Sequence, residues 1–341
     1  MSIGYADVIV DLQAGDTGKG KVAHALAENY NAVLRYNGGA NAGHTVYHNG
    51  KKIVTHQVPV GIFYNIPSMI GPGCVVNLPK LYEEINMLRD FGFKGEVFID
   101  KRVHVTTEEH IIEDTTDTKI GTTRQGIGPT YRDKYARKGK RIEDVIKYNR
   151  SDLPYEVFDL YKFLHGTRRD INILCEGAQG FQIDIDWGDY PYVTSSHCTV
   201  GAVCLNGIPP KNIRKIYGVM KAYETYSGFK QFNYDDSDQS TLDQIQTLGE
   251  EFGATTGRKR QVRWLDMDGV LQAININGVT DLIINKIDIL DQLEKYSLIY
   301  KSKKIVFTSS TAFRQEVENI LDLNTHIPIN SIKWSTSPNN I

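Results

Sequence analysis

The stretch DVIVDLQAGDTGKGKVAHAL, Asp7 to Leu26, decides how the rest of the chain is read. Val8, Ile9, Val10 and Leu12 make an apolar run short enough for a buried strand. A glycine-rich loop follows, and Val22, Ala23, Ala25 and Leu26 then open a helix. Strand, glycine loop and helix together aim backbone N–H groups and a helix N-terminus at a phosphate. Gly15, Gly18 and Gly20 carry no side chain to hold a phosphate off those N–H groups, and Lys19 and Lys21 add positive charge. The spacing from Gly15 to Gly20-Lys21 nearly completes a P-loop, but Val22 stands where a serine or threonine would bind magnesium. Asp16 places a carboxylate inside this anion-binding loop, where it would repel phosphate unless it binds a metal or moves a proton. The plain alternative is a tight strand-to-helix turn with solvated lysines.

Further strands are expected at Ala32–Tyr36, Val97–Ile99, Ile171–Cys175, Ile216–Met220 and Leu282–Ile284, while Met69-Ile70 leads through Gly71-Pro72-Gly73 to a short apolar run, Cys74–Val76. Asn49-Gly50 turns a hairpin over Val46–Ile62. Leu81, Ile85 and Leu88 give 79–91 a helical face, and Phe313, Val317, Ile320 and Leu321 give another near the C-terminus. Residues 113–140 are polar, dotted with glycine and without hydrophobic period, so a long functional loop is expected there, anchored by Ile120, Ile127, Pro129 and Tyr131. Helical material is expected over Ile142–His165. The alternation implies an α/β fold: a mainly parallel central sheet with flanking helices, P-loop-NTPase-like, with long functional loops at the strand C-terminal ends. A single domain spanning 1–341, with loop and helical insertions at about 101–170, fits this length.

Composition narrows the function. The 39 basic and 41 acidic residues nearly cancel, so no global field favours nucleic acid or membrane. No apolar run suits a membrane span and the N-terminus has no signal-peptide pattern. Cys74, Cys175, Cys198 and Cys204 lack metal-ligand pairing and read as thiols in a reducing compartment. A soluble, cytoplasmic protein is expected.

Several loops carry chemistry. Asn285-Lys286-Ile287-Asp288 ends a strand with a carboxylate that can accept from both N1–H and the 2-amino group of guanine; a solvated strand end is its alternative. His44, in Asn41-Ala42-Gly43-His44-Thr45, has no hydrophobic face to pack on, and imidazole can give a proton or hydrogen bond near neutral pH. His24, His104, His110 and His165 lack such a setting. Thr122-Thr123 and Thr194-Ser195-Ser196 are hydroxyl clusters suited to a second phosphate or to ordinary turn capping. Gly257-Arg258-Lys259-Arg260 offers guanidinium forks at i and i+2 for a small carboxylate. A solvated basic patch or nucleic-acid binding would use the same residues.

Taken together, QAGDTGKGK, RYNGGANAGHT, IGTTRQGIGPTYRDKYARKG, EGAQG, DYPYVTSS, EFGATTGRKR and NKIDILD resemble the adenylosuccinate synthetase family, in the family's order. The resemblance implies a ligase that condenses L-aspartate with the 6-oxo group of inosine monophosphate, with GTP hydrolysis and a 6-phosphoryl intermediate, in purine biosynthesis. It implies that Asp16 is the general base and a Mg2+ ligand, that Gly43 offers Mg2+ its carbonyl, and that His44 stabilises the phosphoryl transfer. Lys19 would contact the transferred phosphate; Gly15, Gly18, Gly20 and Lys21 complete the triphosphate loop, and Lys286 and Asp288 read the guanine. Asn41 and Gln179 would position the purine, Thr123 and Thr194 would bind the 5′-phosphate, and Arg137 would reach that phosphate from the partner of a homodimer. Thr255, Thr256, Arg258 and Arg260 would close on aspartate.

Three departures bear on substrates. The chain is short, Ser337 stands where the family has glycine beside the GTP base, and Thr17 replaces a glutamate. Short members with DLQ and TGKG also resemble a phage branch that adds aspartate to (d)GMP, giving 2-aminoadenylosuccinate, and can use ATP. That branch typically carries serine at the base position, and this chain keeps Asp16. A GTP-binding regulatory protein is the alternative from another class; it would have no use for His44, Arg258 or Arg260.

Overall fold

The apolar run becomes β1 (Ser2–Asp11), and the loop after it leads into α1 (Lys19–Ala27). In this computed structural model the described residues are 2–146, 153–166, 170–232, 238–253 and 257–337. β2 (Ala32–Arg35) precedes a hairpin of β3 (His44–His48) and β4 (Lys51–Thr55), turned by Asn49 and Gly50 at positive φ. The chain continues through β5 (Ser68–Ile70), β6 (Val75–Val76), α2 (Leu78–Asp90), β7 (Val97–Asp100), β8 (His104–Val105) and α3 (Glu108–Thr115). Next come α4 (Ile127–Tyr135), α5 (Ile142–Val145), β9 (Glu156–Phe158), α6 (Leu160–His165), β10 (Asp170–Glu176), α7 (Gly201–Cys204) and β11 (Ile213–Lys221). The last part holds β12 (Tyr223–Tyr226), α8 (Gln239–Leu248), β13 (Gln261–Asp266), α9 (Met267–Asn277), β14 (Asp281–Asn285) and α10 (Ile287–Leu293). It closes with β15 (Tyr296–Tyr300), β16 (Lys303–Phe307), α11 (Ser310–Asn324) and β17 (Ser331–Trp334).

The main sheet runs β17-β14-β11-β1-β10-β2-β5-β7-β9, with every neighbouring pair parallel. Inner strands such as β2 and β14 bury both faces, as parallel strands covered by helices must, while the edge strands β9 and β17 are partly exposed. Alternation divides them between two apolar layers: Val8, Val10, Leu34, Ile173 and Ile284 face one, and Ile9, Val33, Leu174 and Ile283 face the other. From β1 the chain moves outward through β2 to β9, returns to β10 beside β1, and then builds the opposite side through β11, β14 and β17. This reversal beside β1 makes a switch point where the loops after β1, β2, β10, β11 and β14 emerge on one edge.

Several expectations need correction. Residues 113–140 are not one long loop: α4 packs Ile127, Thr130 and Tyr131 inward. Carboxylates organise the polar part before it. Asp117 accepts from the N–H groups of Ile120, Gly121 and Thr122, and Asp114 from that of Gly126 at 2.8 Å. The stretch Ile142–His165 includes the edge strand β9 besides short helices, and part of it lies outside the described residues. The hairpin pairs only from His44 to Thr55, after which Val60–Tyr64 makes a 3-10 turn. A second, four-stranded sheet runs β12-β13-β15-β16. No helix among the described residues is long and apolar enough to cross a membrane. The thiols of Cys74, Cys175 and Cys198 are free and buried.

One packing contact gives a pH prediction. His24 Nε2 of α1 lies 2.9 Å from His48 Nδ1 of β3, among Phe63, Tyr64 and Phe93. Burial, then the neighbouring His48, brings the His24 pKa down to about 4. The unfolded chain takes up this proton near pH 6.5, so the contact's stability is fully present above that value and is lost as pH falls towards 4. His24→Phe should move the midpoint of acid unfolding, followed by circular dichroism, to lower pH. An unchanged midpoint would show that the pair does not drive acid sensitivity.

Candidate active site

The last residue of β1, Asp11, shapes the first loop from beneath. Its buried carboxylate accepts from the N–H groups of Gln13 at 2.9 Å and Gly15 at 3.3 Å, from Thr17 Oγ1, and from Lys19 Nζ at 2.7 Å. Such a carboxylate curls the loop without filling its mouth. Gly15, Gly18 and Asp16 all take positive φ, at 92°, 97° and 56°, and aspartate tolerates that region better than most residues. Lys19 is buried against Asp11 and still lines the cleft above.

That cleft has a volume of about 1,700 Å³. It gathers Gly15, Asp16, Gly18, Lys19, Gly20 and Lys21 from the first loop, and Asn41, Gly43 and His44 from the loop after β2. Thr123, Gln179, Thr194, Arg260, Lys286 and Asp288 line it from later segments. Four residues that line it also carry a buried polar atom without a hydrogen-bond partner: Gln179 (Oε1), Asn285 (Oδ1), Ser227 (Oγ) and Arg260 (Nε). Unpaired buried polar groups are costly, and such groups concentrate where a fold serves function rather than stability.

His44 begins β3, and its ring is fixed by two residues on which sequence reading had placed no role. Arg35 and Glu176 close β2 and β10 at the same register. Glu176 Oε1 lies 2.5 Å from His44 Nδ1 and 2.9 Å from Arg35 Nη1, while Oε2 accepts from the Val60 N–H at 3.0 Å. Burial alone would raise the Glu176 carboxyl; His44, Arg35 and the Val60 N–H outweigh it and hold the group below its usual pKa. Burial, and then the Arg35 guanidinium, brings His44 down to about 4 against the pull of Glu176. The resting ring is therefore neutral, gives Nδ1–H to Glu176, and leaves Nε2 for the cleft.

The arginines behave differently from one another. Arg260 Nη2 lies 2.9 Å from Asp16 Oδ2, and its Nη1 lies 2.5 Å from Glu251 Oε2. Lys221 Nζ, fully buried at the end of β11, completes the group at 2.8 Å from Glu251. Burial pushes Glu251 up, but Lys221 and Arg260 win and hold it at about 2. Lys221 falls to about 8, chiefly from burial, so both groups are charged at neutral pH. Arg258 does not share this arrangement. Its guanidinium donates to the carbonyls of Gly121 at 2.7 Å and Thr122 at 3.1 Å, tying the Gly257–Arg260 segment to the hydroxyl-rich loop. Arg137 is exposed and stands outside its own chain's cleft. Thr255 and Thr256 lie outside the described residues.

Lys21 Nζ donates to Ser335 Oγ at 2.7 Å and to the Ser337 carbonyl at 3.0 Å, and Ser337 lines the cleft together with Asp288. Asn285 Nδ2 donates to the Thr17 carbonyl at 2.7 Å, so the loop after β14 braces the first loop directly.

The family model described as adenylosuccinate synthetase matches residues 8–158 and 147–320. The chain belongs to the adenylosuccinate synthetase family. The adenylosuccinate synthetase of Chlorobium chlorochromatii is 39% identical, over 85% of this chain and 78% of its own length. That of Chlorobaculum parvum is 38% identical with the same coverage. Among solved structures, a fully ligated adenylosuccinate synthetase from Plasmodium falciparum is similar with a TM-score of 0.85 at 26% identity, covering 98% of both chains. The succinoaminodeoxyadenylate synthetase of cyanophage S-2L, bound to dGMP and dATP, has a TM-score of 0.77 at 22% identity, which shows a shared fold. As an adenylosuccinate synthetase-type protein the chain is a nucleotide-dependent ligase acting on small molecules.

Proposed function

We propose that this ligase joins L-aspartate to inosine monophosphate using GTP, with Asp16 and His44 as its catalytic pair. The observation that carries this reading is that Asp16 and His44 arrive on separate loops and line one cleft, with the Gln179 amide and Asp288 on the same walls. Asp16 removes the purine N1 proton, the 6-oxygen attacks the γ-phosphate, and the bond to the β-phosphate breaks to release GDP. The aspartate amine then attacks C6, and phosphate departs with the former 6-oxygen. His44 presents Nε2 to the phosphoryl group; the arriving negative charge favours the protonated ring that burial and Arg35 otherwise oppose. The Asp16 carboxylate and Gly43 carbonyl are hard oxygen donors fit for Mg2+, which would draw charge from the phosphates.

Asn41 and Gln179 position the base, Thr123 and Thr194 hold the 5′-phosphate, and the exposed Arg137 serves the neighbouring cleft of a homodimer. Gly15, Gly18, Lys19, Gly20 and Lys21 cradle the triphosphate, with Lys286 and Asp288 at its base. Thr255, Thr256, Arg258 and Arg260 belong to the loop that receives aspartate. Arg260 would exchange Asp16 for a substrate carboxylate, which couples aspartate binding to release of the base. Retention of Asp16 favours inosine monophosphate over the (d)GMP reaction, and Asp288 favours GTP over ATP.

Phosphate release measured with aspartate and each pairing of IMP, GMP or dGMP with GTP or ATP tests this assignment. Turnover is expected with IMP and GTP. Turnover only with dGMP would overturn the substrate choice, and none with any pair would overturn the enzyme assignment.

A further inference from the structure

The Lys19 ammonium lies 2.7 Å from Asp11 Oδ2, with both side chains buried. The two oxygens of that carboxylate have separate tasks. Oδ1 accepts from the N–H groups of Gln13 and Gly15 and so holds the first half of the loop. Oδ2 accepts from the Thr17 N–H at 3.4 Å, from the Thr17 hydroxyl and from Lys19, which ties the second half of the loop to the lysine. The carboxylate is itself enclosed. Gln13 is fixed to β11 and β12: its amide donates to the carbonyls of Lys221 and Tyr223 at 3.3 and 3.1 Å, and its Oε1 accepts from the Lys221 N–H at 2.9 Å. On the other side the loop after β10 closes in, where a Cβ on Gly180 would come within 2.7 Å of Asp11 Oδ1. A charge walled in this way acts on Lys19 at low effective dielectric. An ammonium has three N–H bonds, and Asp11 takes one, which leaves Lys19 two for the cleft it lines. Gly20, next along α1, approaches His44 so closely that a Cβ would lie 2.8 Å from the His44 Cβ. The place of Lys19 therefore also sets the spacing between the first loop and the histidine.

We propose that Asp11 is a positioning residue for phosphoryl transfer, one that keeps Lys19 fixed at the γ-phosphate instead of surrendering it to the nucleotide. This rests on the proposed reaction and on Lys19 meeting the transferred phosphate in it. The ammonium would bridge Asp11 Oδ2 and a γ-phosphate oxygen, so it needs no reorganisation as charge moves towards the purine. Asp11 also brings a negative charge close to the triphosphate, which weakens binding of the ground state. The opposite signs of these two effects, on rate and on affinity, separate positioning from plain support of the loop.

Asp11→Asn keeps the size of the side chain and an oxygen for Gln13 and Gly15, but loses the anion facing Lys19. Its kcat should fall about 100-fold, the cost of displacing a reacting group by about 1 Å, while the KM for GTP stays the same or falls. Lys19→Met should also be slow, and adding Asp11→Asn to it should cost little more, because both substitutions break one contact. Losses that simply multiply, or a KM for GTP that rises as kcat falls, would overturn the proposal. A crystal structure of the parent with a non-hydrolysable GTP analogue gives a measurement that needs no variant to fold. Lys19 Nζ should lie within hydrogen-bond distance of both Asp11 Oδ2 and the γ-phosphate, and a lysine bound to only one of them would overturn the assignment. Turnover by the parent tests the reaction and the place of Lys19 in the bound structure tests Asp11, so the two can fail separately.

Discussion

Glu176→Gln should lower synthesis by roughly 100- to 10,000-fold while substrate affinity changes far less, the range seen when a histidine loses its orienting carboxylate. The amide can accept from either Arg35 or His44 but cannot hold a negative charge between them. His44 then loses the partner that fixes its Nδ1–H tautomer and would support a protonated ring. Arg35 is 2% exposed and would be left as a buried cation facing a neutral group, a loss of about 3–5 kcal/mol when the partner is removed outright. Glu176→Gln is therefore also expected to melt at lower temperature than the parent. The diagnostic readout is the pH–rate profile: its limb assigned to His44 should shift, and Glu176→Asp should restore part of the rate. A uniform loss of rate at every pH, proportional to loss of folded protein, would show that Glu176 is only structural.

Asp16→Ala should abolish synthesis, with a loss of about 1,000-fold or more, because a general base and a metal ligand disappear together. The fold should persist. Asp16 is about one-third exposed, and the contact it loses, to Arg260, leaves that guanidinium still paired with Glu251. Alanine at φ 56° carries some backbone strain, about 1–2 kcal/mol. Asp16→Asn avoids most of it, since asparagine tolerates this region, and should be equally inactive. Calorimetric melting would separate the two effects: both variants fold, with Asp16→Asn closer to the parent. Unimpaired synthesis in either would remove Asp16 from its assigned role.

The central strands were legible because burial on both faces writes itself as short apolar runs, as in Val8–Val10, Ala32–Leu34 and Leu282–Ile284. α2 was legible for the opposite reason: Leu81, Ile85 and Leu88 are buried beside exposed neighbours at helical spacing. α4 was hidden because nine residues with three buried anchors do not establish a period, and its neighbours gain order from the Asp114 and Asp117 carboxylates. β9 is an edge strand of three residues, too short to alternate.

The site divides in the same way. Asp16 and His44 stood out because a charged or titratable group in a glycine-rich loop has few structural uses. Glu176 and Arg35 did not, because their pairing arises from the register of β10 against β2, between residues 141 positions apart. A carboxylate ending one apolar strand and an arginine ending another were visible, but adjacency was not. Nor did the i, i+2 spacing of Arg258 and Arg260 foretell that one would grip backbone carbonyls while the other reached Asp16.

The central claim is that the loops after β1 and β2 form one centre that moves the γ-phosphate onto the purine oxygen before aspartate enters. Inosine monophosphate labelled with ¹⁸O at the 6-oxo position, incubated with GTP, Mg2+ and aspartate, tests it directly. Mass spectrometry should find the label in the released phosphate, one atom per adenylosuccinate formed, and neither product nor labelled phosphate with Asp16→Asn. Phosphate carrying only solvent oxygen, released while adenylosuccinate accumulates, would contradict the account.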